Sequence, residues 1–137
     1  MIVREETGDI FKTQCKHIMF AVNVEGVNDC GFAGKVSSHY WPEISCTMPS
    51  PLGTVFSVER SDKVFHAIVC HSLCVDGWKE TPKVLKSCLD NLAVPDDERI
   101  ASVLIGGGFV GQAMGVNISE IITAMEESRK SIVLYFK

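Results

Sequence analysis

The chain has 137 residues, of which 46% are hydrophobic and 22% charged, and its formal net charge is -4 at pH 7. We expect residues 1–137 to form one domain, because a chain of this length buries about two-thirds of its unfolded surface around a single core. The acidic balance disfavours general nucleic-acid binding, which needs basic groups. We find no signal peptide, no apolar run approaching a membrane span and no paired cysteine spacing, and therefore predict a cytoplasmic protein with reduced thiols.

Strand-like apolar runs alternate with helical patterns along the chain. The strand-like runs are residues 1–4, 17–23, 55–58, 64–70, 100–105 and 132–136. Helical spacing is found at 31–40, at 81–92 and at 117–125. Thr81 is predicted to cap the second helix, with Pro82 at its first position, and Asn117 to cap the third, with Glu120 reaching back. This alternation predicts an α/β protein, a three-layer α/β/α sandwich with helices on both faces of the sheet.

A glycine loop follows the run at 100–105. Gly106, Gly108 and Gly111 match G-x-G-x-x-G, the fingerprint of dinucleotide binding. A Rossmann unit also needs an acid at the end of the next strand, about 20 residues on. Here that strand is 132–136, at the end of the chain, and Glu126 and Glu127 lie inside a predicted helix. We therefore predict no nicotinamide cofactor, and no other cofactor.

The glycine loop can still bind an anion even though it is not a nicotinamide-cofactor site. Gly106, Gly107 and Gly108 expose amides that a diphosphate can approach closely, although glycines also serve simply to form tight turns. A second stretch has the same design: a strand ends at Asn23, and a turn with Gly26 and Gly31 leads into a helix. Two such loops in one small sheet favour an extended anionic ligand lying across the strand ends.

At these loops the chain resembles the macro domains that recognise ADP-ribose, and the resemblance covers most of its length. Gly8-Asp9-Ile10 is similar to the opening motif, whose Asp is a buried acceptor for the adenine amino group, and Ala21-Val22-Asn23 to the strand end whose Asn reaches the distal ribose. The family's fold implies a mixed, mostly parallel sheet. The residues matching its ligand-binding positions are Asp9, Ile10, Asn23, Gly26, Val27, Gly31, Gly106, Gly107, Gly108, Phe109, Val110 and Gly111.

Several of these residues also have ordinary structural interpretations. Asp9 and Asn23 are common turn formers, and Phe109 either covers a ribose or adenine face or packs in the core. The predicted partner is ADP-ribose or an ADP-ribosylated substrate.

The resemblance leaves two activities open: hydrolysis of an ADP-ribosyl or ADP-ribose 1''-phosphate bond, and recognition or sequestration of the nucleotide without turnover. In one hydrolytic branch of the family a Lys of the first helix and an Asp of the second loop do the chemistry. Lys35 lies near that Lys position, and Val110 occupies the Asp position. Asp29, beside the expected distal ribose, and His71, at the end of a strand, are candidates to position or deprotonate an attacking water.

A zinc site is the first rival interpretation, since His66, Cys70, His71 and Cys74 lie close in sequence. Strand alternation puts His66 and Cys70 on one face and His71 on the other, and no second ligand pair follows. We therefore predict no metal.

Overall fold

The computed structural model describes residues 1–27, 31–46, 49–74 and 76–136. Six strands form one sheet: β1 Ile2–Glu6, β2 His17–Asn23, β3 Val55–Arg60, β4 Lys63–His71, β5 Arg99–Val103 and β6 Ser131–Tyr135. The α-helices of this part of the chain are α1 Gly31–His39, α2 Thr81–Asn91, α3 Phe109–Ala113 and α4 Ile118–Glu126, with short 3-10 helices at Ile10–Lys12 and Pro42–Cys46. The spatial order of the strands is β1-β6-β5-β2-β4-β3.

The sheet is mixed and mostly parallel, as predicted. Every neighbouring pair is parallel except β3 and β4, which form an antiparallel hairpin at one edge. The two residues of the hairpin turn, Ser61 and Asp62, have φ of 53° and 64°. Positive φ at both positions gives a two-residue turn whose twist matches that of two antiparallel strands. The two strands therefore continue up to this turn, beyond the apolar runs at 55–58 and 64–70.

The central strand β2 alternates its side chains between two cores. Phe20 packs on one face with Val36 of α1, and Met19 on the other with Leu85 of α2 and Met125 of α4. All five side chains are at most 1% exposed. Because both faces of the sheet are covered, the fold is the predicted three-layer α/β/α sandwich.

Of the two N-caps predicted from the sequence, that of α4 is confirmed and that of α2 is not. Asn117 caps α4, and its side chain accepts a hydrogen bond from the amide of Glu120. The predicted cap of α2 is wrong: Glu80 occupies the N-cap, and Thr81 is the first helical residue. The Thr81 hydroxyl instead donates to the carbonyl of Cys70 at 2.6 Å, which ties α2 to the end of β4.

None of the helices in the described ranges is both long and apolar enough to cross a membrane. The described cysteines Cys15, Cys70, Cys74 and Cys88 are free.

Candidate functional site

The sheet changes direction between β2 and β5. These two strands are parallel neighbours, but the chain leaving β2 reaches its next parallel strand, β4, on one side, whereas the chain leaving β5 reaches β6 on the other. In open α/β sheets generally, ligands bind outside the carboxyl ends of the strands at such a switch point. The segments that follow β2 and β5 both carry glycines, and they leave the same edge of the sheet, one strand spacing apart.

The loop after β5 depends on two of its glycines for close packing. Gly106 has φ of 83°, and a Cβ built on Gly111 of α3 would lie 2.3 Å from the Gly106 carbonyl oxygen. The first turn of α3 therefore packs directly on the loop backbone. Gly107 is also constrained, because its amide donates to the carbonyl of Leu104 at 2.9 Å and its carbonyl accepts from the side chain of Gln112.

Gly108 differs from its neighbours. It is exposed, no heavy atom lies within 4 Å of a Cβ built on it, and its φ is outside the left-handed region. Within the described part of the chain, the amides of Gly106 and Gly108 have no hydrogen-bond partner. Among the described residues, nothing beyond its chain neighbours sterically excludes a side chain at position 108, which is the residue before the first helical residue of α3, where glycine is among the preferred residues.

The loop after β2 is held by Asn23. Its side-chain oxygen accepts from the amide of Val27 and its nitrogen donates to the carbonyl of Val27, each at 3.0 Å. Gly26, between them, has φ of 78°. In this conformation the Asn23 amide shapes the turn, and its two bonds to Val27 leave one N–H and one oxygen lone pair of the amide.

Asp9 and Ile10 lie at the carboxyl end of β1, separated from β2 by β6 and β5. Asp9 is exposed, not a buried acceptor as expected from the sequence, because it precedes a 3-10 helix that ends in solvent and accepts from the amide of Phe11 at 3.0 Å. Ile10 is 6% exposed and packs in the core on the α1 side. Asp9 lies at one end of an open groove of about 850 Å³ that also contacts Lys16 and Arg99, at the amino ends of β2 and β5.

No protein-family model and no curated protein matches the sequence. Solved structures do match: a protein of unknown function from Bacteroides thetaiotaomicron has a TM-score of 0.72 at 14% identity, over 98% of this chain and 97% of the other. The macrodomain of Mycobacterium tuberculosis DarG gives 0.67 at 15% identity, over 98% and 97%. A mutant Oceanobacillus iheyensis macrodomain with ADP-ribose gives 0.61 at 16% identity, over 96% and 82%.

The chain has the macrodomain fold. At these identities the likeness establishes the fold alone.

In this macrodomain fold, His71 ends β4, next to β2, as predicted. Its ring stacks on Trp78 with the centroids 3.7 Å apart, and it is 6% exposed. Burial lowers the pKa of His71 to about 4, although Glu25 acts to raise it. Among the described residues, His71 Nδ1 and Trp78 Nε1 have no hydrogen-bond partner. The imidazole is therefore neutral at physiological pH and is covered by an indole ring.

The other catalytic candidates are not brought together with His71 by any described contact. Lys35 is exposed on α1. Asp29 lies outside the described residues, and the side chains of Phe109 and Val110 are not described, although their backbones begin α3. No group of three or more His, Cys, Asp or Glu side chains in the described ranges is arranged to hold a metal ion.

Glu25 is a participant that the sequence did not indicate. Its carboxylate accepts from the amide of Leu73 at 3.0 Å, which links the loop after β2 to the turn after β4. The amide of Val24 adds a bond to the carbonyl of His71 at 2.9 Å. The loop after β2 is therefore fixed to the neighbouring strand as well as by Asn23. An acidic residue directly after a strand is common, so the sequence alone did not indicate that Glu25 would bond to Leu73, 48 residues further along the chain.

Proposed function

We propose that this chain binds ADP-ribose, with the diphosphate held between the loops that follow β2 and β5. The observation that carries the proposal is the switch point, which sets two glycine-bearing loops side by side at the carboxyl edge of the sheet. The amides of Gly106 and Gly108, which have no hydrogen-bond partner among the described residues, supply donors for phosphate oxygens. A structure of the same fold has been solved with ADP-ribose, which supports the choice of ligand.

We infer recognition without turnover as the activity. A general base has to reach the proton it removes, directly or through one water. His71 is covered by Trp78, and Lys35 projects from the exposed part of α1. Among the described candidates, neither arrangement provides a base at the carboxyl edge of the sheet. A single-turnover assay with ADP-ribose 1''-phosphate should therefore release no phosphate, and release that is lost in Asp29→Ala would identify a hydrolase instead.

Replacing Gly108 tests the binding site without disturbing the fold. Because a Cβ at this position meets no heavy atom of the described residues beyond its chain neighbours, Gly108→Ala and Gly108→Val should fold as the parent chain does, with a loss of about 1 kcal/mol at the N-cap of α3. Val should block the approach of the diphosphate to the amides. The loss of one or two charge-assisted hydrogen bonds corresponds to about 100-fold in Kd, and Ala should have a smaller effect.

Calorimetric titration with ADP-ribose measures this effect. Ser38→Ala serves as the matched control, since Ser38 is exposed on α1 and its hydroxyl donates to the Gly34 carbonyl of the same helix. We expect the control to bind as the parent does. No heat from the parent chain at roughly millimolar ADP-ribose, or equal affinity in the parent and Gly108→Val, would contradict the proposal.

A further inference from the structure

A second polar cluster lies away from the glycine loops and extends from β3 across β4 and β2 to the turn before β5. It joins four side chains in one hydrogen-bonded series, which we call the relay: Ser57, His66, His17 and Glu98. Ser57 Oγ is 2.7 Å from His66 Nδ1, His66 Nε2 is 2.9 Å from His17 Nδ1, and His17 Nε2 is 3.0 Å from Glu98 Oε1. His17 opens β2 at the amino edge of the sheet, about 20 Å of strand away from Asn23.

The carboxylate at one end of the relay fixes the direction of its hydrogen bonds. An ionised Glu98 only accepts, so His17 Nε2 carries a hydrogen. When each imidazole carries a single hydrogen, His17 Nδ1 accepts from His66 Nε2, and His66 Nδ1 accepts from the hydroxyl of Ser57. The serine is thereby a donor to a ring nitrogen with a free lone pair.

Burial keeps His66 in the form that this direction requires. His66 is 4% exposed, and its pKa is lowered to about 4 by burial and by the neighbouring His17. It is therefore neutral at physiological pH. His66 and Ser57 face each other across the hairpin, in register on β4 and β3, so the backbone ladder fixes the distance between them.

The serine end of the relay is open to solvent. Ser57 is exposed, and β3 is the edge strand of the sheet. An edge strand presents unpaired backbone N–H groups, which are donors of the kind that stabilise a developing oxyanion. The arrangement thus combines an accessible hydroxyl with a buried, oriented base.

We propose that Ser57 is a nucleophilic serine that is acylated by small activated carboxylic esters, with His66 as its general base. A nucleophile within hydrogen-bond reach of a base that a third group orients is the arrangement common to unrelated serine hydrolases. His17 and Glu98 are positioning residues, because they act on the serine only through His66. The site is independent of the proposed nucleotide site.

The reaction balances with the ester and water as the only reactants. Ser57 Oγ attacks the carbonyl carbon while its proton passes to His66 Nδ1, and the bond from that carbon to the leaving oxygen breaks. The leaving oxygen takes the proton from His66. Water then attacks the acyl group on Ser57, gives its proton to His66, and the proton returns to Ser57 Oγ as the carboxylic acid leaves.

The direct test uses the unmodified protein and a fluorophosphonate probe. Attack by Ser57 Oγ forms an oxygen–phosphorus bond, fluoride leaves, and the hydroxyl proton passes to His66. Ser38 is an internal comparator, exposed and hydrogen-bonded only to a helix carbonyl in the described chain. Peptide mass spectrometry should show Ser57 labelled at least about 100-fold faster than Ser38, the low end of general-base catalysis. Equal rates would overturn the proposal.

Variants then test each part of the relay with p-nitrophenyl acetate. Ser57→Ala should abolish the protein-dependent rate, and His66→Gln should lower it by about 100-fold. The Glu98 side chain is 41% exposed, so its variants should fold. Glu98→Gln should lower the rate by about 10-fold, and Glu98→Asp, which retains a carboxylate, should recover most of it. An unchanged rate in Ser57→Ala, or equal rates in Glu98→Gln and Glu98→Asp, would contradict the assigned roles.

Discussion

Acidification from pH 7.5 to 4.5 is expected to lower the free energy of unfolding by about 5 kcal/mol, because two buried histidines resist protonation in the folded chain. The pKa of His66 and of His71 is lowered from 6.5 to about 4, in both cases mainly by burial. Between these values the unfolded chain binds protons that the folded chain does not. The stabilisation is therefore complete above pH 6.5 and is lost as the pH falls toward 4, by about 2–3 kcal/mol for each histidine at pH 4.5.

Urea unfolding at the two pH values measures this loss, and imidazole NMR assigns it to residues. His71→Gln should reduce the pH dependence by about half, since His71 and His66 lie five residues apart on β4, on opposite faces of the strand, and titrate separately. Because typical domains have about 5–15 kcal/mol of stability, the parent chain should be close to unfolding near pH 4.5. Midpoints near 6.5 for both rings would contradict the prediction.

Much of the sheet could be predicted from apolar runs alone. β2 and β4 are buried on both faces, so their sequences are mainly apolar and their positions are evident, although His66 interrupts the run in β4. The pairing of β2 with β5 has no such signal, because it joins residues far apart in the chain. The Ser61-Asp62 turn was missed since it lacks the Asn-Gly pattern of tight hairpins.

The same limit applies to the polar groups. Thr81 has a side chain typical of a helix N-cap, but its hydroxyl donates to the Cys70 carbonyl of β4 instead. This bond depends on the tertiary structure, which the local sequence does not show. The relay was missed for the same reason: its members come from β2, β3, β4 and the turn before β5, and no spacing in the sequence brings them together. In the sequence, His66 belongs to a possible zinc-ligand pattern, whereas in the structure its imidazole contacts Ser57 and His17.

The glycine loops could be found from the sequence, but the roles of individual glycines could not. Glycine count identifies a turn that exposes amides, and it treats Gly106, Gly107, Gly108 and Gly111 alike. The environment of each Cα separates them: Gly106 needs its positive φ, a Cβ on Gly111 would overlap the backbone of Gly106, a Cβ on Gly107 would crowd the Leu104 side chain, and a Cβ on Gly108 would meet none of the described residues beyond its chain neighbours. This distinction also makes the loop testable, because stability and ligand binding can be altered at different positions.

Gly111→Ala should destabilise the chain by about 3 kcal/mol or more, although helix propensity predicts the opposite. Gly111 lies inside α3, where Ala is normally favoured by about 1 kcal/mol. Its Cβ, however, would lie 2.3 Å from the oxygen and 2.7 Å from the Cα of Gly106, and backbone atoms cannot move aside as a side-chain tip can. Gly108→Ala is the matched control, with an expected loss of only about 1 kcal/mol from its N-cap position. Urea unfolding of both variants decides between helix propensity and steric overlap. A stabilised Gly111→Ala would show that α3 does not pack on the loop. The amides of Gly106 and Gly108 would then no longer be held in place by this packing.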